Sequence, residues 1–294
     1  MSLAVLVLGA TGRFRPVAQL LLDRGHRVRA GTRDPGSPAA RQLAALGAEL
    51  VACDFEDRAS LEAAAHGVDA VFASGTAHQA GPAGEVRHGR NLADALSAVG
   101  VSQLVYSSGA GADRRTNVPV FESKSEVEKH LNARRVPSTI LAPVYLMENL
   151  FNPWNVSALE AGFFPAFLPE NRSVQQVPVI DIAAFAVHTL EHPDDFLGER
   201  VELASDSVTA LEAARFVSAV SGRELEVREL APSGGLQVLF EWLDRVGFDV
   251  EIPALRRRYP HVQWHTFSEW AADQEWKILS RSPRMQKFEG CARL

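Results

Sequence analysis

Cysteine is nearly absent from this 294-residue chain, which has only Cys53 and Cys291. Two cysteines give no disulfide framework, and they fit a reducing, cytoplasmic setting. No apolar run reaches the ~18 residues of a membrane helix. The chain opens directly on a strand-like run, so no signal peptide is expected. Basic residues are outnumbered, 30 against 36, and the net charge of -6 argues against direct nucleic-acid binding. Internal repeats and low-complexity tracts are missing. His261 and His265 stand four apart, but no glutamate completes a zinc-protease helix motif, and Trp264 between them points to packing. No metal site is expected.

What is present begins at the N-terminus. Ala4-Val5-Leu6-Val7-Leu8 is an apolar run of strand length. Gly9-Ala10-Thr11-Gly12-Arg13-Phe14 forms a glycine turn, and a helical pattern covers about 13–24. Strand, glycine turn and helix together are the opening of a dinucleotide-binding fold. The glycines let the backbone approach a pyrophosphate, and the helix N-terminus offers free N–H groups. One position breaks the fingerprint: the third glycine should fall at residue 15, which is Arg15. Either Arg15 adds charge toward the phosphates, or it weakens the site.

Strand-like runs alternate with helical ones to about residue 145. Strands are expected at 4–8, 27–31, 48–52, 70–73, 103–107 and 138–141. Helices are expected at 13–24, 39–46, 60–65, 86–99 and 121–132. The strands are apolar on both faces, as in a parallel sheet covered on both sides. This is an α/β chain with a doubly wound parallel sheet. We place a nucleotide-binding domain at 1–150 and a smaller mixed α/β region at 151–294, with a soft boundary that allows strands to return to the main sheet. In the second region, strands are expected at 174–179, 200–203 and 224–230. Helices are expected at about 181–191, 210–221, 235–246, 252–259 and 267–278.

Ligands of such sheets sit beyond the C-terminal strand ends. Six groups of candidate residues follow the first six strands in turn: Gly9 to Phe14, Thr32-Arg33, Asp54-Phe55, Ser74-Gly75-Thr76, Ser107-Ser108 and Pro143 to Asn149. The second strand ends in Arg33 with no acid at its tip. An acid there would accept the ribose hydroxyls of NAD, whereas an arginine pairs with the 2′-phosphate of NADP. The alternative is that Arg33 is a solvated loop charge. Short-chain dehydrogenases place a tyrosine four residues before a lysine on one helix face. Here Lys124 is present but residue 120 is Val120, and none of the three tyrosines precedes a lysine by four. Lys124 is read as a cofactor ligand or as a surface charge. Ser107 and Ser108 either orient a substrate carbonyl or close a turn. Cys53 reads as a small buried residue or, beside the cofactor edge, as a redox thiol. His78 to Gly84 is a loop or a mobile lid.

These residues resemble the NmrA-like family of atypical short-chain dehydrogenases. The resemblance runs over nearly the whole chain and includes GATGRFR at 9, TRDP at 32, LVYSS at 104, FESKSEVEKHL at 121 and PVYLMENL at 143. It implies a Rossmann domain that binds NADP. Gly9, Thr11, Gly12, Arg13 and Phe14 would line the phosphates, and Arg33 would meet the 2′-phosphate. Asp54 and Phe55 would flank the adenine, with Ser74, Gly75 and Thr76 along the cofactor. Lys124 would reach the nicotinamide ribose, and Pro143, Tyr145 and Asn149 would close the nicotinamide side. Lys124 and Ser108 are the catalytic candidates. The family often has histidine where Val120 stands, so Val120 and Arg15 are departures from it.

The family contains NADPH-dependent reductases and redox sensors that control a partner protein. The expected activity is NADPH-dependent reduction of a small quinone-like or aromatic carbonyl compound. The alternative is a non-enzymatic NADP sensor. A third reading, with no nucleotide bound, rests on Arg15 alone. Partners are a small molecule or a regulated protein, with no nucleic acid and no membrane, and the chain acts as a monomer or homodimer.

Overall fold

The computed structural model describes residues 2–277 and 279. Cys291 lies outside the described residues, and the helix expected over 267–278 ends at Ala272, where Asp273 caps it. In chain order the elements are β1 (Ala4–Leu8), α1 (Arg15–Asp23), β2 (Arg27–Thr32), α2 (Pro38–Ala45), β3 (Glu49–Ala52), α3 (Arg58–Ala65), β4 (Ala70–Ser74), α4 (Ala77–Val99), β5 (Leu104–Ser107), α5 (Pro119–Ala133) and β6 (Ser138–Pro143). There follow β7 (Tyr145–Leu146), a 3-10 turn Met147–Phe151, α6 (Pro153–Glu160), β8 (Phe163–Ala166), β9 (Val174–Val177), α7 (Val179–Glu191), α8 (Pro193–Phe196) and β10 (Arg200–Leu203). The last are β11 (Asp206–Val208), α9 (Ala210–Ser221), β12 (Glu226–Glu229), α10 (Gly235–Arg245), α11 (Ile252–Arg258) and α12 (Phe267–Ala272).

Two compact units share these elements. The first combines Met1–Pro143 with Ile182–Leu203, and the second combines Val144–Asp181 with Ala204–Leu294. The first junction therefore falls at 143/144, where expectation put it at 150/151. Residues 182–203 return to the first unit because β10 pairs in parallel with β6.

The first unit holds a seven-stranded parallel sheet in the order β10-β6-β5-β4-β1-β2-β3. The order reverses between β1 and β4, which is the switch point of a doubly wound sheet. All five residues of β1 are buried, as a strand covered on both faces requires. Helix α1 starts at Arg15, two residues later than expected, because Pro16 is pre-set for a first turn. The stretch from His78 to Gly84, expected as loop, is helical apart from Gly81. Gly81 takes φ 69°, and Pro82 restarts the helix after it.

The second unit carries a three-stranded sheet, β11-β9-β7, and a two-stranded one, β12-β8. Its core gathers Met147, Leu159, Val217, Phe267 and Trp270. Strands β7, β8 and β11 went unread in the sequence because two to four residues carry too little periodicity. No helix among the described residues is long and apolar enough to cross a membrane.

Glu122, in the first turn of α5, shows how the fold responds to acid. Burial pushes its carboxyl up, but hydrogen bonds from the N–H groups of Thr116 and Asn117 and the Thr116 hydroxyl outweigh burial and hold it below the usual range. A lowered folded-state value stabilises the protein above the unfolded value of about 4.3 and is lost as pH falls through the folded one. The thermal midpoint should therefore drop between pH 5 and 3. Glu122→Gln, which keeps the acceptor and cannot titrate, should show a shallower drop in scanning calorimetry; an unchanged acid profile would refute the assignment.

Candidate functional site

The C-terminal edge of the seven-stranded sheet begins with the glycine turn after β1. Gly9 takes φ 86°, a left-handed conformation that favours glycine, and a Cβ there would lie 3.5 Å from Ser74 Oγ. Gly9 and Ser74 thus meet across the β1/β4 switch point. The turn closes on the Gly12 N–H, which donates to Gly9 O at 3.0 Å. The N–H groups of Thr11 and Phe14 have no partner among the described residues. No side chain caps α1. Uncommitted N–H groups around a glycine turn at the head of an α-helix fit a pyrophosphate. The Phe14 ring is buried beside Phe72, with centroids 5.4 Å apart, which fixes the turn against β4. Arg13 is half-buried. The charge of Arg13, after burial, helps hold His78 below the usual imidazole range.

Arg15 does not point its charge into this turn. Its Nη1 donates to Gln42 Oε1 of α2 at 2.7 Å.

Arg33 is exposed beyond β2 and has no ion-pair or hydrogen-bond partner among the described residues. Beyond β3, Asp54 Oδ1 accepts the Glu56 N–H, and the Phe55 ring stacks on His88 at 5.7 Å. His88 links two strand ends, with Nδ1 bonded to Thr76 Oγ1 at 2.9 Å and Nε2 to Glu56 at 2.8 Å. Hydrogen bonds from Arg87 and His88 pull Glu56 down to about 2. Cys53 is buried beside this edge, and burial, with Asp54 and Asp57 nearby, pushes its thiol up to about 11, so it stays protonated at neutral pH.

The deepest feature of the edge is one the sequence reading missed. Glu85 of α4 is 1% exposed and receives Lys124 Nζ at 2.7 Å and Ser123 Oγ at 2.5 Å. The cause is helix packing. Gly89 lies against Val127 so closely that a Cβ would clash with the valine side chain. One turn N-terminal to each, Glu85 therefore faces Ser123 and Lys124. Gly75 completes the arrangement: a Cβ there would overlap both Glu85 Oε1 and Lys124 Nζ. The turn after β4 thus runs directly over a buried ion pair. One carboxylate takes one of the three ammonium donors of Lys124 and leaves others for a ligand.

Ser108 is also committed. Its hydroxyl donates to Glu128, whose other oxygen accepts Arg200 Nε at 3.2 Å. While that bond holds, Ser108 has no proton to give a carbonyl. Ser107 is 3% exposed and ends β5. Pro143 closes β6 and its carbonyl accepts the Ala110 N–H at 2.9 Å. Tyr145, on β7, and Asn149, in the 3-10 turn, belong to the second unit. In that unit His265 Nδ1 is 2.5 Å from Asp181 Oδ1, and its N–H donates to the other oxygen.

Comparison with known proteins places the chain among relatives of the same fold. The chain is 31% identical over 289 residues to (4-alkanoyl-5-oxo-2,5-dihydrofuran-3-yl)methyl phosphate reductase of Streptomyces griseus, covering 97% of this chain and 93% of the relative. Two solved structures share the fold. The NADPH-dependent quinone oxidoreductase of Escherichia coli, solved with NADPH, has TM-score 0.76 at 22% identity and covers 91% of this chain and 98% of that one. The negative transcriptional regulator NmrA, solved with NADP, has TM-score 0.72 at 18% identity and covers 92% and 95%. The model of the NmrA-like family matches residues 1–244, which include the glycine turn, the Lys124 helix and the returning strand β10, and the chain belongs to that family.

Proposed function

We propose that the chain binds NADP(H) on the C-terminal edge of its parallel sheet and reduces a small quinone-like or aromatic carbonyl compound. The observation that carries this reading is the pairing of an open glycine turn with an unpartnered arginine at the tip of β2. Thr11 and Phe14 would give their N–H groups to the pyrophosphate, near Gly9, Gly12 and Arg13. Arg33 would meet the 2′-phosphate. Asp54 and Phe55 would flank the adenine, and Ser74, Gly75 and Thr76 would follow the cofactor along the edge. Lys124, oriented by Glu85, would donate to the nicotinamide ribose. Pro143, Tyr145 and Asn149 are assigned to the nicotinamide side. The bound cofactor would supply a hydride from its nicotinamide C4.

Val120 replaces the usual proton donor, and Ser108 holds its proton on Glu128. Ser108 is therefore assigned to positioning. A quinone suits such a site, because its reduced oxygen is a weak base that water protonates, whereas a ketone needs a stronger acid from the protein. The relatives named as reductases support the reading. The few cysteines are compatible with a cytoplasmic location, and the chain is proposed to act as monomer or homodimer.

The same lack of a side-chain acid favours a second reading, a non-enzymatic NADP sensor that controls a partner protein, as the likeness to the regulator NmrA suggests. The deciding measurement is NADPH consumption by pure protein across a panel of quinones, followed at 340 nm. Turnover above the uncatalysed rate supports the reductase. No turnover with tight NADPH binding overturns it in favour of the sensor.

A further inference from the structure

Arg15 stands where the dinucleotide fingerprint expects its third glycine, and its contacts show where the charge goes. It is the first residue of α1 and is half-buried. Its Nε is buried, its Nη1 donates to Gln42 Oε1 at 2.7 Å, and Nη2 is left open to solvent. A guanidinium carries five N–H donors, so one bond leaves most of its capacity unused. No carboxylate pairs with Arg15 or with Arg33 among the described residues. In a chain of net charge -6, two arginines without a counter-charge on one sheet edge are a local exception.

Gln42 locates the Arg15 head. Strand β2 passes into α2 through a tight loop, in which the Ser37 N–H donates to Asp34 O at 3.1 Å and the Gly36 N–H to Asp34 Oδ1 at 2.9 Å. Asp34 thus spends a carboxylate oxygen within its own loop. Ser37 caps α2. Side chains on a helix lean toward its N-terminus, so the second turn of α2 reaches back over this loop. Arg41 does so directly, since its Nη1 donates to Gly36 O. Gln42 is the next residue and holds Arg15 on the α1 side of the same loop. Arg33 begins that loop, immediately after β2. Strands β1 and β2 are parallel neighbours with Leu8 opposite Gly31, so the chain leading to Arg15 and the chain carrying Arg33 leave the sheet edge side by side.

We infer that Arg15 is the second arginine of the 2′-phosphate subsite. Its free Nη2 donates to the phosphate that Arg33 meets, and Gln42 aims the guanidinium from the α1 side of the loop. The planar fork of an arginine suits a phosphate, and two forks on one phosphate select for it more sharply than one. The residue that breaks the fingerprint then contributes to the choice between NADP(H) and NAD(H). This inference rests on the NADP(H) reading above.

The test is calorimetric titration of the full chain with adenosine 2′,5′-bisphosphate and with adenosine 5′-monophosphate, which differ only in the 2′-phosphate. The parent should bind the bisphosphate more tightly. Arg15→Met should weaken the bisphosphate about tenfold, the low end of a charge-assisted hydrogen bond, and change the monophosphate by less than about twofold. Arg15→Met/Arg33→Met should bind the two probes about equally. Gln42→Glu, at an exposed position, should pair with Arg15 and weaken the bisphosphate alone. A parent that prefers the bisphosphate, with an Arg15→Met variant that keeps the whole preference, would overturn this inference and leave the NADP(H) reading standing. Equal losses for both probes would also overturn it, by assigning Arg15 to the glycine turn or to folding. A parent with no preference would overturn both readings. If Arg15→Met fails to fold, an unchanged preference in Gln42→Glu refutes the inference.

Discussion

Glu85→Leu should lower the unfolding free energy by about 3–5 kcal/mol, the usual cost of leaving a buried ion without its partner. Glu85 is 1% exposed, the Lys124 side chain is 14% exposed, and the two meet at 2.7 Å. Lys124 would lose its carboxylate partner next to Gly75, where the backbone leaves no room for a compensating side chain. The double variant Glu85→Leu/Lys124→Met removes both charges together and should recover most of the loss, because an apolar pair of similar volume often replaces a buried ion pair at little cost. Urea denaturation of the parent, the two single variants and the double variant measures the coupling between the pair. Additive losses would show that the pair is not one unit. The double variant should also bind NADPH more weakly than the parent, since recovered stability does not restore the Lys124 donors. Nicotinamide fluorescence would read this separately from folding.

Arg33→Glu should cut NADPH affinity by about 100-fold and change NADH affinity by less than about threefold. A guanidinium on a phosphate makes charge-assisted, often bidentate hydrogen bonds worth about 1.5–3 kcal/mol. A glutamate at the same position repels the phosphate and can accept from the ribose hydroxyls of NADH. Arg33 is exposed and has no partner among the described residues, so its replacement removes no internal contact and the fold should be unaffected. Titration of the parent and the variant with both nucleotides is the check. Equal losses for NADPH and NADH would mean that Arg33 does not read the 2′-phosphate. An unchanged NADPH affinity would mean that it is a solvated charge.

The two predictions differ in how legible their residues were. Arg33 stands directly after an apolar strand, and its position relative to the glycine turn can be counted along the chain. Glu85 falls just outside the helix that the sequence predicts over 86–99, because the Gly- and Pro-containing stretch from His78 to Gly84 reads as a loop. A signal was present all the same. Glu85, Gly89, Leu92, Ala93 and Leu96 fall on one helical face, and all but the first are small or apolar. A carboxylate on a stripe that is otherwise buried needs a partner. Spacing alone could not name that partner, since Lys124 is 39 residues away. Ser108 is a similar case. As a strand-end hydroxyl it looked available, and its commitment to Glu128 follows from the way α5 lies against β5 and β6.

The sequence by itself determined the alternation of strands and helices, the glycine turn at the head of α1, the lack of an acid at the tip of β2, and the loss of the tyrosine proton donor. Each of these is written in residues a few positions apart, where propensity, periodicity and turn chemistry act locally. Only the tertiary structure decided the turning of Arg15 toward Gln42, the burial of the Glu85–Lys124 pair beneath Gly75, the return of β10 to the main sheet, and the aromatic slot lined by Tyr145, Phe164, Gln176 and Phe240. These depend on helix contact distances and on the register of strands distant in sequence. One residue of slip in β9 would turn Gln176 and Val174 away from that slot.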